Sequence, residues 1–208
     1  GVEKTQTYLL ASGTAICGGT AMAAVAPSIR AKPEDLTTTL SIVFLLNAIA
    51  VLSFPLIGGW LDLTQEQFGT WAALSIHDTA SVLGAAAVVG FDSVEVAATL
   101  KLTRTLWIVP LVLVSAWYFK SGNQGPAFPL FILFFVFAVS LNTTLSPSEE
   151  VLYFLRVINK TFVLAGLFCI GTQIDKESLG NITIKPMILA LSIWLTVIPA
   201  ALWAALSI

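Results

Sequence analysis

The stretch from Phe68 to Gly90 constrains this chain most. It is long enough to cross a bilayer core of ~30 Å, which takes ~20 helical residues, yet its centre carries the sequence Ser75-Ile-His77-Asp78-Thr79-Ala-Ser81. His77 is the single histidine of the chain. An ionisable group within a membrane span costs about 2.5–3.5 kcal/mol on insertion scales and usually faces a bundle interior or a watery cavity, where it handles a solute or ion. If the stretch is one helix, Ser75, Asp78, Thr79 and Ser81 fall within about half its circumference, with His77 just beyond. The remainder is Ala, Leu and Val. A polar stripe on an otherwise apolar span predicts a lined pathway.

Composition places that stretch in a membrane protein. Of the 208 residues, 57% are hydrophobic and 11% charged, against about 25% charged in a soluble domain; the mean hydropathy is +0.90. A net charge of −2 and the lack of a Lys/Arg cluster exclude a nucleic-acid partner. Cys17 and Cys169 both fall in apolar segments, where reduced thiols act as small packing residues, so no disulfide is expected.

Read in order, the chain gives about seven segments in a single membrane domain covering 1–208. The first, Tyr8 to Ala26, holds the run Ser12-Gly-Thr14-Ala-Ile-Cys17-Gly18-Gly19-Thr20. Ala11, Ala15, Gly19 and Ala23 recur every four residues, which suits a close helix crossing. Paired glycines equally suit a helix unwound at Gly18-Gly19, exposing backbone N–H groups to a ligand. The second segment, Leu36 to Leu61, has Pro55 and Gly58-Gly59 near its far end and Asn47 as its one strongly polar interior group, read as an interhelical hydrogen bond. After the His77 stretch, Phe91 to Arg104 mixes charges with helix formers ahead of the apolar run Leu106 to Phe119. Phe128 to Leu141, a helix opened by Ser146-Pro147 and running to about Gly171, and Met187 to Leu206 complete the series.

Lys101 and Arg104, three apart, share a helix face, and their spacing suits a basic anchor at the cytoplasmic interface. Six basic residues in the connections 27–35, 91–105 and 142–160 face three on the other side, which assigns the first set to the cytoplasm provided the His77 stretch crosses fully.

Ser12 to Thr20 followed by Ala-Val-Ala-Pro27, then Trp71 to Ala85, then Lys101-Leu-Thr-Arg104 resemble, in order and spacing, the YeiH-like family of bacterial inner-membrane proteins. Members carry a provisional sulfate-exporter label and are grouped with bile acid, arsenite and riboflavin transporters. They often have Glu and Gln at the places of Asp78 and Ser81, and they have helices ahead of the Ser-Gly-Thr motif. The resemblance implies an all-α, inverted-repeat secondary transporter with discontinuous helices, of which this chain is a C-terminal portion completed by a second copy or by missing N-terminal helices.

It implies a multi-pass place in the inner membrane and a small anionic solute. The implied solute or ion contacts are Thr14, Cys17, Gly18, Gly19, Thr20, Ser75, His77, Asp78, Thr79 and Ser81, with Lys101 and Arg104 as anion or gating contacts. No metal or cofactor is expected beyond a coupling H⁺ or Na⁺. In this reading His77 carries the proton and Asp78 holds its charged form. An intramembrane enzyme is disfavoured: a metalloprotease needs a second histidine, and adjacent residues on one helix cannot orient a serine triad. A structural or regulatory membrane subunit is the remaining alternative.

Overall fold

A computed structural model describes residues 2–119 and 183–208, together with scattered helical positions between 134 and 168. The expected segments Phe128 to Leu141 and Ser146 to Gly171, with Cys169, lie outside what it describes continuously. Among the described residues all regular structure is helical: α1 (Lys4–Ala15), α2 (Gly19–Val25), α3 (Pro33–Trp60), α4 (Gln65–Ser75), α5 (Thr79–Val89), α6 (Phe91–Thr105), α7 (Ile108–Tyr118) and α8 (Ile184–Leu206).

Among the described residues three stretches have the length and apolarity to cross a membrane: Pro33–Trp60, Phe91–Tyr118 and Ile184–Leu206. At 1.5 Å per residue, the 28 residues of α3 reach about 42 Å, more than a bilayer core of ~30 Å. Its start is written in the sequence: Pro33 takes a first-turn position where a missing N–H costs nothing, and Glu34 and Asp35 suit the positive end of the helix. Thr64 and Gln67 form a reciprocal cap on α4, each side chain bonding the other's backbone N–H at 3.2 and 3.1 Å.

Two expected boundaries are corrected. The stretch Phe68 to Gly90 is not one helix: it divides into α4 and α5, with Ile76, His77 and Asp78 between them. His77 and Asp78 therefore sit in a link and not on a wheel face. Phe91 to Arg104 is not a charged interfacial connection but the first half of a membrane-length stretch, α6 turning into α7 at Leu106-Trp107. Lys101 is 0% exposed, so the anchor reading fails for it, and the basic-residue count for orientation loses two members of its larger set.

The packing is inverted relative to a soluble protein. Leu52, Leu56 and Trp60 on α3, Leu113 and Trp117 on α7, and Leu195 and Trp203 on α8 are exposed, whereas Asn47, Ser75, His77, Ser81, Ser93 and Lys101 are buried. Hydrocarbon accepts the first set and offers the second no partner. α4 and α6 lie in close apposition: a Cβ on Gly69 would fall 2.6 Å from the Ser93 carbonyl, so any side chain there separates the two helices. An aromatic stack braces α4 on α3 and α8. The Phe54 ring lies 4.3 Å from that of Trp71 and 6.1 Å from that of Trp194, and the Trp71 indole donates to the Ile198 carbonyl at 3.2 Å.

Candidate functional site: the junction of two helix interruptions

The first interruption arises from glycine. α1 ends at Ala15, and Gly18 has φ 58° and ψ −120°, a conformation that a Cβ makes costly and glycine adopts freely. The Gly18 N–H reaches back to the Gly13 carbonyl at 2.8 Å, and α2 starts at Gly19. Gly18 also lies on the second interruption: a Cβ there would be 3.3 Å from the His77 Cβ and 3.4 Å from Val43. Of the two readings open for Ser12–Thr20, the chain leaves the helix at Gly18, whereas Ala11, Ala15 and Ala23 of the four-residue stripe are exposed and make no buried crossing.

The second interruption is built by side chains from elsewhere. A helix that stops leaves its last carbonyls without partners, which inside a membrane costs several kcal/mol each. Four successive carbonyls at the end of α4 are each supplied with a donor. Arg104 Nη1 donates to Ala73 and Leu74 at 2.6 and 3.1 Å, Trp194 Nε1 to Ser75 at 2.9 Å, and Lys101 Nζ to Ile76 at 2.7 Å. Arg104 Nη2 turns the other way, to the carbonyls of Thr14 and Ala15 at 3.0 and 2.8 Å, where α1 ends. One guanidinium thus ties both interruptions together.

On the far side, Asp78 caps α5: its Oδ2 accepts from the Ser81 N–H at 2.9 Å and from the Ser81 hydroxyl at 3.1 Å. The expected His77–Asp78 partnership is corrected by this geometry, because the carboxylate is engaged with Ser81. The partner of His77 is Asn47 of α3. Its Oδ1 accepts the His77 backbone N–H at 3.2 Å and lies 3.3 Å from His77 Nδ1. The Trp194 ring stands 6.2 Å from the imidazole.

The candidate residues therefore divide by their surroundings. Cys17, Gly18, Ser75, His77 and Ser81 are buried at or beside the junction, with Thr14, Gly19, Asp78 and Thr79 half-buried around it; Thr20 is exposed. Cys17 is a free thiol. Lys101 and Arg104 hold the carbonyls of the interrupted helices, and neither forms an ion pair with a carboxylate among the described residues. Two buried polar atoms here have no partner: Asn47 Nδ2 and Ser75 Oγ.

Sequence reasoning assigned Asn47 to packing, and the interhelical bond exists, but it missed the partner. Trp194 was overlooked in the last segment, Met187 to Leu206. The available signal was a lone indole N–H in mid-span, which also needs an acceptor. Among the described residues no group of three or more His, Cys, Asp or Glu is placed to hold a metal. An open groove of about 580 Å³ lined by Glu66, Asp92, Glu95 and Ile208 shares no residue with the junction.

The fold and site define an all-helical membrane protein whose buried polar groups gather where two interrupted helices meet. Residues 1–190 match the family described as conserved hypothetical protein 698, and the chain belongs to that family. It is 42% identical over 198 residues to a UPF0324 membrane protein of Bacteroides thetaiotaomicron, covering 94% of this chain and 60% of that one. It is 43% identical over 199 residues to its counterpart in Porphyromonas gingivalis, with 94% and 60% covered. A Vibrio vulnificus UPF0324 membrane protein is 42% identical over 212 residues, covering 99% of this chain and 68% of that protein. The chain thus spans about 60% of the length of the first two relatives. No solved structure matches.

Proposed function

We propose that this chain belongs to a multi-pass secondary transporter of the bacterial inner membrane that moves a small anionic solute, such as sulfate or an organic sulfonate or carboxylate, through the junction of the two interruptions. The observation that carries the reading is the buried Lys101 and the half-buried Arg104, whose bonds go to carbonyls and not to carboxylates among the described residues. A buried charge without a directly paired carboxylate is costly, and an anion visiting the site relieves that cost. In discontinuous-helix transporters, solute sites form where half-helices end near the bilayer midplane. Asn47 Nδ2 and the Ser75 hydroxyl supply uncommitted donors at this place. An inverted-repeat architecture, completed by a second copy or by further helices, would supply the opposing wall, and H⁺ or Na⁺ would supply the coupling.

The structural or regulatory subunit draws on a different feature: Arg104 spends four hydrogen bonds on carbonyls, which is what a packing role requires. The unpartnered Asn47 and Ser75 atoms favour transport over it, since a purely structural core gains nothing from unsatisfied donors. Uptake of radiolabelled sulfate and of a short alkyl sulfonate into proteoliposomes separates the two. The expected result is saturable flux that falls at least about tenfold in His77→Ala, with membrane insertion unchanged. Equal flux in the variant, or no flux of sulfate, sulfonate or inorganic phosphate once the second copy or further helices are present, would overturn the transport reading.

A further inference from the structure

Two atoms of Asn47 can be told apart by chemistry alone. The His77 backbone N–H can only donate, so the Asn47 atom 3.2 Å from it is the carbonyl Oδ1 and not the amide nitrogen. That oxygen has a second lone pair and can only accept, and His77 Nδ1 lies 3.3 Å from it. A favourable contact therefore requires the proton on Nδ1. This leaves His77 Nε2 as a bare acceptor that makes no hydrogen bond among the described residues, on a side chain only 2% exposed. The other ring nitrogen of a histidine is set by the bond the first one makes, and here that bond comes from α3.

The groups around the ring point to a ligand. Asn47 Nδ2 and Ser75 Oγ are buried and unpartnered, and an unsatisfied buried donor or acceptor is costly enough that it normally has a partner, protein, water or ligand. From α6 come Lys101 and Arg104, bonded to the carbonyls of Ile76, Ala73 and Leu74; from the link itself comes Asp78, engaged with Ser81. The site thus offers positive charge, at least one N–H donor, one hydroxyl and one acceptor without a proton.

We infer that Asn47 is a positioning residue that holds His77 in its Nδ1–H form, and that Nε2 consequently selects an anion which keeps a proton of its own: an oxyanion with an O–H, as in inorganic phosphate, in preference to a fully deprotonated one such as sulfate. This deepens the anion-transport reading and rests on it. A solute lacking the O–H forgoes the bond to Nε2, and sites built around such a bond reject the analogue that cannot make it. Sulfate and phosphate are close in size and shape, so the proton is the main chemical difference between them.

Because the chain has a single histidine, ¹⁵N-histidine labelling of the protein in phospholipid nanodiscs gives one unambiguous imidazole spectrum. The expected spectrum has the proton on Nδ1, retained in Asn47→Asp, which keeps an acceptor, and lost to the Nε2–H form in Asn47→Leu. A wild-type ring with its proton on Nε2 overturns the positioning role even if Asn47→Leu does not fold. Titration with inorganic phosphate is expected to shift the Nε2 signal at an affinity at least about tenfold above that of sulfate. Equal affinity for the two anions overturns the selectivity and leaves the transport reading standing; no shift with either overturns Nε2 as a ligand contact, while flux in proteoliposomes judges transport separately.

Discussion

The two interruptions sit against each other yet are held open by different physics. The one between α1 and α2 is chiefly a backbone device: Gly18 takes a positive φ and packs against His77 and Val43, with Arg104 adding donors to the carbonyls of Thr14 and Ala15. The one between α4 and α5 contains no glycine. Its residues, Ile76, His77 and Asp78, would each tolerate a helix, and the chain leaves it because Lys101, Arg104 and Trp194 take four carbonyls in succession while Asp78 caps the start of α5. The first is therefore local and cheap to encode. The second is tertiary, and it fails if a distant side chain is lost.

The largest expected effect tests that dependence. Arg104→Leu removes the donors to Ala73, Leu74, Thr14 and Ala15 together, and leaving three part-buried acceptors and one exposed one unpaired should cost on the order of 3 kcal/mol. Thermal unfolding in nanodiscs would show a large fall in Tm; an unchanged Tm would mean that the guanidinium is not what holds the interruptions. Gly18→Ala comes next, with a cost of about 1–3 kcal/mol for forcing a side chain into a sparsely populated backbone region. Gly59→Ala, whose Cβ would meet nothing within 4 Å, is the neutral control, and equal stability of the two variants would remove the backbone account.

Trp194→Phe should keep the ring stack with Phe54 but free the Ser75 carbonyl, costing about 1–3 kcal/mol, the penalty of leaving one buried acceptor unpaired. The smallest effect is expected for Asp78→Asn, because asparagine caps helices about as well as aspartate. Stability within about 0.5 kcal/mol of wild type would agree with a cap. A loss comparable to that of Gly18→Ala would instead show that the carboxylate charge matters to the junction.

Much of the site was legible in one dimension. The Ser12–Thr20 run offered a crossing or a helix end, because small residues and paired glycines have few other uses inside an apolar segment, and the helix end is what the structure shows. Ser75 to Ser81 stood out for the same reason that buried polar groups are rare. The helix wheel drawn through His77 was less useful, since periodicity describes a residue's direction only while the helix continues. The cap of Asp78 on Ser81, three residues on, was available in the sequence, but an N-cap in mid-segment reads as a helix start only when the preceding helix is known to have stopped.

By itself, then, the sequence determined that this is an all-helical membrane protein with its polar residues clustered in two apolar segments, because composition and apolar run length decide what a bilayer accepts. It also offered a helix break at Gly18-Gly19, one of its two readings there, which depends on a missing Cβ. Only the tertiary structure decided that Lys101 and Arg104 turn inward, that Asn47 and not Asp78 is the partner of His77, and that Trp194 completes the end of α4. Those pairings join residues 25 to 119 positions apart, and the donor that finds an orphaned carbonyl is selected by which helices pack together, a choice that no local pattern of residues contains.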